Sequence, residues 1–537
     1  MKYKLLTIAC FISFISFSQQ VFTEDLIITP EKTNYQKTST YAEVMLFIEA
    51  LEKKSDNIWV TSLGVSKEGK QIPLVVLSNP KVTSLKEAKK LNKPIIFAMG
   101  NIHAGEVEGK EILQQLMRDI LLGNKKHLLE NQILLFAPIY NTDSNDKMEK
   151  GRRPSQEDSP IEVGLRASSE GYDLNRDGIK MEALETKGLI KNVLVKWNPE
   201  LLIDLHTTNG TWHGYDVTYA PSYHSIGEAS TYNFTKDKLL PIVTKNVKQH
   251  FDINMGHYGY YFIRNGWPPK AIYTYNHHPR YLVNYMGLRN KMGILSEAFA
   301  HNRFYKRMIG TYAFVNEILN FTNENSSKIV EINNKAEEDA IKNVLENAGK
   351  ISKGVRFKKV ALDNKISDYK TYDYIPYITN KGDTAYVRSG NIVSYKVDNF
   401  AKFKPTLTSK LPRGYYIPKA FEHIIIHLKK HGIKVEKLKK SKTVLGEDFL
   451  ATNIQHNSRE FEGHFMVNLE GDFVKTSKTF IAGDYYIDMA QPLTNLIFYM
   501  LEPQSDDGLV TWNFFDEYFR MNYIENKPVA YPIFKHF

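Results

Sequence analysis

Two side chains three positions apart open the chemistry of this sequence: His103 and Glu106, in the run Gly100-Asn101-Ile102-His103-Ala104-Gly105-Glu106-Val107-Glu108-Gly109. Three residues make about one helical turn, so an imidazole nitrogen and a carboxylate oxygen can face one ion. A borderline-soft cation such as zinc accepts both donor types, and three protein ligands leave its fourth position to water. A third ligand is therefore needed, and His206 offers one. It ends the apolar run LLIDLH (201–206) and precedes Thr207-Thr208-Asn209-Gly210, a turn at the mouth of a sheet, where ligands usually bind. Taken singly, each signal is weak. A His-x-x-Glu pair is more often a surface pair, and a strand-end histidine more often a satisfied cap.

Further residues add to the pattern. Between the two histidines lies Gly171-Tyr172-Asp173-Leu174-Asn175-Arg176-Asp177, preceded by Arg166. An Asn-Arg pair can hold a carboxylate through its amide and its planar guanidinium fork. Glu297 sits inside the apolar run GILSEAF (293–299), where an unpaired carboxylate is costly to bury, so a metal, a cation or a catalytic task is expected for it. Asp204 shares the strand face of His206 and is equally readable as an orienting partner or a structural residue.

These residues need a scaffold that brings strand ends together. From about 30 to 320 short apolar runs alternate with helical stretches, the pattern of an α/β domain. Strands are expected at 93–100, 133–140, 201–206 and 292–299, and helices at 109–122 and 182–197. The polar stretch 323–350 reads as a boundary with helical periodicity in its second half. Beyond it, 355–398 carries short β-type runs, and 415–440 reads as a helix-to-strand unit closed by Gly432. The expected organisation is a signal segment at 1–18, a catalytic domain at 30–325, a linker or helix at 326–350 and an α/β or β-rich accessory region at 351–537.

The ordered set His103-x-x-Glu106, Asp173-Leu174-Asn175-Arg176, His206 and Glu297 resembles the M14 zinc metallocarboxypeptidases over roughly 35–320. The joint occurrence in family order is far more specific than any one motif. The resemblance implies a mixed sheet flanked by helices, with zinc and substrate at one edge. It implies His103, Glu106 and His206 as zinc ligands and Glu297 as general base. Asn175 and Arg176 would hold a peptide's terminal carboxylate, and Arg166 would polarise the scissile carbonyl, with Arg153 the competing candidate. A tyrosine that closes over substrate is also implied, and Tyr273, Tyr275, Tyr281 and Tyr285 all remain open. The runs RYLVNYMGLRNKMGILSEAF (280–299) and LEPQSDDGLVTWNFFD (501–516) resemble a bacterial exported branch of the family that carries a C-terminal extension.

Composition narrows the remaining classes. Met1-Lys2-Tyr3-Lys4, then a short apolar run to Ser18, reads as a secretory signal, so an exported, periplasmic or secreted protein without a transmembrane span is expected. Cys10, the one cysteine, is poorly placed for lipidation and leaves with that segment, which excludes disulfides, thiol catalysis and Cys-bound metal from the mature chain. The formal charge of +10 falls to about +8 without Lys2 and Lys4, and it is dispersed, so nucleic-acid binding is not expected. No Gly-x-Ser-x-Gly elbow or His-Glu-x-x-His helix is present. The 29 Phe, 32 Tyr and 5 Trp read as core and interface rather than as a sugar platform.

Two other functions compete. One is a zinc amidohydrolase of the aspartoacylase or desuccinylase type, or a cell-wall peptide hydrolase. The other is an inactive peptide- or glycan-binding pseudoenzyme, which retention of all three ligands and Glu297 argues against. Asp143, Asp146, Glu149, Glu157 and Asp158, in one loop, read as solvated charges or as a bias toward basic terminal residues.

Overall fold

A computed structural model describes residues 22–537; the signal segment expected at 1–18, with Cys10, lies outside the described residues. Eight strands build the central sheet: β1 (Ile58–Val65), β2 (Gln71–Leu77), β3 (Ile95–Gly100), β4 (Ile133–Ala137), β5 (Leu201–Thr207), β6 (Val217–Pro221), β7 (Met255–His257) and β8 (Met292–Ala298). Their spatial order is β1-β2-β4-β3-β5-β8-β6-β7. Strands β4, β3, β5 and β8 run parallel, while β1, β2 and β6 pair antiparallel with their neighbours toward the centre. The sheet is therefore mixed. Its four central strands are buried along almost their whole length, as strands covered on both faces are, and their polar residues gather at the carboxyl ends of β5 and β8.

Alternation along β5 decides which side chains meet. Leu201, Ile203 and Leu205 pack on one face, with helices α1 (Tyr41–Lys54), α2 (Glu108–Leu121) and α3 (Phe304–Glu324). Leu202 packs on the other, and a period of two places Asp204 and His206 there too. Pairing puts Glu297 directly opposite His206, and Gly100 opposite Leu205. The carboxyl ends of β3, β5 and β8 thus share one edge, where α/β sheets collect their ligands.

A glycine pair brings α2 close enough to carry the turn between β3 and itself. A Cβ on Gly109 would meet Leu205 Cβ at 2.6 Å, and one on Gly100 would meet the Gly109 carbonyl carbon at 2.6 Å. Asn101 turns the chain with φ of 65° and donates its amide to Ala104 O at 3.0 Å. The 101–107 segment is compressed into a short turn that carries His103 and Glu106.

The strands of the central sheet span residues 58–298. The remainder is more regular than expected. Residues 326–347 form one helix after a single-residue break from α3, burying Ile329, Ile332, Ala336, Ala340 and Val344 at helical spacing. Long strands follow at Ser352–Val360, Ile366–Ile378, Thr384–Phe400 and Lys402–Lys410, and a seven-stranded sheet is built from the last 125 or so residues. The C-terminal region does not hang on a tether. A single core cluster runs from Phe97 and Trp197 under the catalytic sheet to Tyr415, Ile424 and Trp512. No helix of the described residues is long and apolar enough to cross a membrane.

Glu185, fully buried, has no hydrogen-bond partner on either carboxylate oxygen among the described residues, and burial pushes it up to about 7. Below its ordinary value of 4.5 both folded and unfolded chains hold the proton and the residue costs nothing. Between there and about 7 the unfolded chain releases the proton while the folded chain keeps it, so stability falls through that window. Glu185→Gln is expected to match wild type near pH 4.5 and to exceed it by on the order of 2–3 kcal/mol at pH 8, read from urea midpoints.

Candidate active site and metal centre

Glu106 is the hub. Its Oε1 lies 3.0 Å from His103 Nδ1 and its Oε2 lies 2.9 Å from His206 Nδ1, with all three residues at least 96% buried. One nitrogen or oxygen from each lies within 4.8 Å of the others. A tetrahedral ion with bonds of about 2.0–2.1 Å holds its donors roughly 3.3 Å apart, so this trio fits zinc with small adjustment.

The far side of each imidazole supports the same reading. His103 Nε2 is 3.0 Å from Asp173 Oδ1. His206 Nε2 is 3.0 Å from Asp204 Oδ2, a close ion-pair contact outside good hydrogen-bond angles, and among the described residues no hydrogen bond is made to either Asp204 oxygen. Each ring therefore turns Nδ1 to Glu106 and backs Nε2 with a carboxylate, the arrangement that fixes tautomer and ring orientation in metal sites. Burial opposes ionisation of His206, but the Asp204 and Glu106 carboxylates hold it well above the usual imidazole range. Burial likewise opposes charge on Glu106, yet His103 and Arg153 hold it well below the carboxylate range. Asp204→Asn is expected to weaken zinc affinity about 10–100-fold without unfolding the chain, measured by competition with a chromogenic chelator.

Two arginines reach the same carboxylate. Arg153 Nη1 donates to Glu106 Oε1 at 2.8 Å and Nη2 to Thr207 O at 3.0 Å. Arg166 donates to Asp173 Oδ2 through Nε at 3.1 Å and Nη2 at 2.9 Å, and reaches Glu106 Oε1 at 3.4 Å. Arg166 is the more exposed, at 43% against 14%. Asn175 accepts from Leu282 N at 3.2 Å and sets its amide nitrogen 3.3 Å from His206 Nε2. Arg176 donates to Asn175 O at 2.9 Å and lies over the Tyr281 ring, 4.4 Å from its centre.

Glu297 faces this group from β8. Burial pushes it up to about 8, with Glu106 adding to the effect and His206, Arg153 and Arg166 opposing it. No hydrogen bond to its carboxylate is made among the described residues, which leaves both oxygens available to a water or a substrate group.

These residues line one cavity of about 420 Å³ with Tyr258, Tyr260, Tyr275, Tyr281 and Lys359. The four open tyrosines separate here. Tyr285 is fully buried with its hydroxyl 2.6 Å from His431 Nδ1, and Tyr273 stacks on Phe400 away from the cavity. Tyr275 and Tyr281 both line it. The acidic loop does not: Asp143 accepts from Ser66 and Ser169, Asp146 pairs with Lys70, Glu149 with Arg152 and Glu157 with His301. The orienting role of Asp173 and the presence of Lys359 are what sequence reasoning missed, while Asp204 was left open between an orienting partner and a structural residue. Asp204 carried a signal in its spacing to His206; Lys359 carried none.

Buried histidines, a carboxylate hub and a free glutamate at a strand edge define a metallohydrolase centre. Residues 44–251 match the family profile described as zinc carboxypeptidase. That segment is similar to the M14 zinc carboxypeptidases, and with the His103–Glu106–His206 trio it supports a zinc-dependent hydrolase of the peptidase type. Glu297 lies beyond the matched segment and is delivered to it by the β5–β8 pairing. Similar solved structures include a metallo-carboxypeptidase from Burkholderia cenocepacia, with 14% identity, TM-score 0.39 and coverage of 54% of this chain and 70% of that one. A metallo-carboxypeptidase from Pseudomonas aeruginosa gives 15% identity, TM-score 0.38, and 53% and 71% coverage. Carboxypeptidase A from Helicoverpa armigera gives 13%, 0.36, and 53% and 75%. No curated protein sequence matches the chain.

Proposed function

We propose that the protein is an exported carboxypeptidase that removes single residues from peptides ending in a free carboxylate, with a preference for acidic terminal residues. The observation that carries the chemistry is the unbonded Glu297 carboxylate facing the His103–Glu106–His206 trio across one strand pairing. Zinc held by that trio supplies Lewis acidity toward water and toward a substrate carbonyl. Glu297 takes the proton of the attacking water and returns it to the leaving amine. Arg166, exposed and beside Glu106, donates to the carbonyl oxygen as charge develops there. Arg176, with Asn175, holds the terminal carboxylate. Tyr281, already beneath Arg176, is the tyrosine best placed to cover it.

Charge in the cavity supports the preference. Arg153 and Arg166 are paired with Glu106 and Asp173, whereas Lys359 has no carboxylate within ion-pair distance among the described residues. Its ammonium donates to Thr274 O, and burial lowers it to about 8. An acidic side chain arriving there would replace a carbonyl contact with a charge-assisted one. Lys359→Met is expected to lower kcat/KM on glutamate-ended peptides about 10- to 100-fold and to leave leucine-ended peptides within about threefold. Equal losses on both substrates would remove Lys359 from substrate selection. Peptides amidated at the C-terminus should be poor substrates throughout, and release of single residues from peptides of several residues separates this activity from deacylation of amino acids.

A further inference from the structure

A second group of metal-type donors lies where the loop before Tyr281 meets the C-terminal region. His277, His278 and Asp506 each bring one donor atom within 4.8 Å of the others. None of them lines the catalytic cavity, although Tyr275 and Asn276, just ahead of His277, do.

The hydrogen bonds around His277 show what the group lacks. Asn276 Oδ1 accepts the backbone N–H of His277 at 2.9 Å, which fixes that atom as the oxygen. The same oxygen lies 2.8 Å from His277 Nδ1, so Nδ1 carries the hydrogen. In the neutral ring Nε2 then presents its lone pair, and it presents it to the Asp506 carboxylate at 3.3 Å. Two acceptors facing each other at that distance repel unless a proton or a cation lies between them. Asp506 is held in place for the meeting: Tyr499 donates its hydroxyl to Oδ1 and Phe357 N donates to Oδ2 at 3.1 Å.

A third histidine points the same way. His224 is 95% buried, and neither ring nitrogen has a hydrogen-bond partner among the described residues. Its ring centre is 5.5 Å from that of His277 and 4.4 Å from that of Tyr499. A buried imidazole with both nitrogens unsatisfied is costly and rare. Burial keeps His224 and His278 well below the ordinary imidazole value, in the neutral form that ligates. Arg280 and Lys359 are the nearby cations. Arg280 is neutralised by Asp507 at 2.6 Å, and Lys359 donates to Thr274 O.

We propose that His277, His278 and Asp506 form a second metal site for a borderline divalent cation of the zinc type, with His224 completing it directly or through one water. Two imidazoles and a carboxylate are the donor set of the catalytic trio, and they select the same ions. The ion clamps the 276–281 loop, which carries Tyr281 and Arg280, to the segment 505–507 of the C-terminal region. That gives the C-terminal region a part in shaping the active site.

The test is zinc content of the full chain, stripped with chelator, reloaded with zinc alone and freed of excess. Wild type is expected to hold two equivalents, His206→Ala one, His278→Ala one, and the double variant none. One equivalent in wild type with none in His206→Ala would overturn the second site, leaving an imidazolium of His277 paired with Asp506. Two equivalents retained in both His278→Ala and Asp506→Asn would also overturn it, and Asp506→Asn decides the matter if His278→Ala does not fold. One equivalent in wild type, lost in His278→Ala but kept in His206→Ala, would support the second site while removing the catalytic ligand assignment.

Discussion

Glutamine in place of Glu297 should lower kcat by about 10²–10⁴-fold while zinc content stays at the wild-type level. The substitution keeps the shape of the side chain and removes only its capacity to take and return a proton. Position makes the effect large. The residue opposite Glu297 across the strand pairing is His206, and no other carboxylate in the cavity is free. Glu106 already accepts from His103, His206, Arg153 and the Thr207 amide. Substrate affinity, measured as Ki for a product amino acid, should change little, because Arg176 and Asn175 are untouched. An E297Q variant with more than about a tenth of wild-type kcat would show that the proton moves by another route.

Arg307→Met should destabilise the folded chain by about 3–5 kcal/mol. Arg307 is fully buried in α3, where its Nε donates to Glu108, its Nη1 to Asn302 O at 2.8 Å and its Nη2 to Ser159 O at 3.2 Å. Glu108 is itself 1% exposed and accepts the Thr207 hydroxyl at 2.5 Å on its other oxygen. Removing the guanidinium strands that carboxylate without a counter-charge. The pair also ties α3 and the first turn of α2 to the end of β5, so metal affinity should fall along with the urea midpoint. Glu108→Gln in the Arg307→Met background should recover part of the loss, since an amide costs less to bury than an unpaired charge. If the double variant is no more stable than the single, the ion pair is not what holds these elements.

The site was legible in sequence to the extent that local periodicity fixes it. Strand alternation is enough to place His206 at an edge and Asp204 on its face, and the apolar run around Glu297 marks a carboxylate with a task. The order of His103, Glu106, Asn175, Arg176, His206 and Glu297 then identifies the catalytic domain. Pairing is a long-range property, and this is why the orienting contact of Asp173 with His103, 70 positions away, had to wait for coordinates. Lys359 arrives from the strand Ser352–Val360, which pairs with Lys402–Lys410 and owes its place to the C-terminal fold. Nothing near position 359 announces a cavity.

The C-terminal region was under-read for a different reason. The strand Thr384–Phe400 is exposed or half-buried along most of its length, so its sequence lacks the apolar weight that marks strands such as β3 and β5. The 326–347 helix presented the opposite difficulty. Its buried stripe is narrow, and the surrounding Asn, Lys and Glu residues give the whole stretch the look of a linker. What sequence could not show is that this region shares its core with the catalytic sheet through residues such as Trp197 and Trp512.

The central claim is that this site trims peptides from the carboxyl end, and mass spectrometry of the products tests it most directly. The zinc-loaded protein is incubated with a mixture of synthetic peptides of varied terminal residue, each present as free acid and as amide. Successive loss of single C-terminal residues from the free acids, fastest where the terminal residue is aspartate or glutamate, with the amides left intact, is the expected result. Internal cleavage, equal attack on acids and amides, or an unchanged mixture from zinc-loaded protein would contradict it.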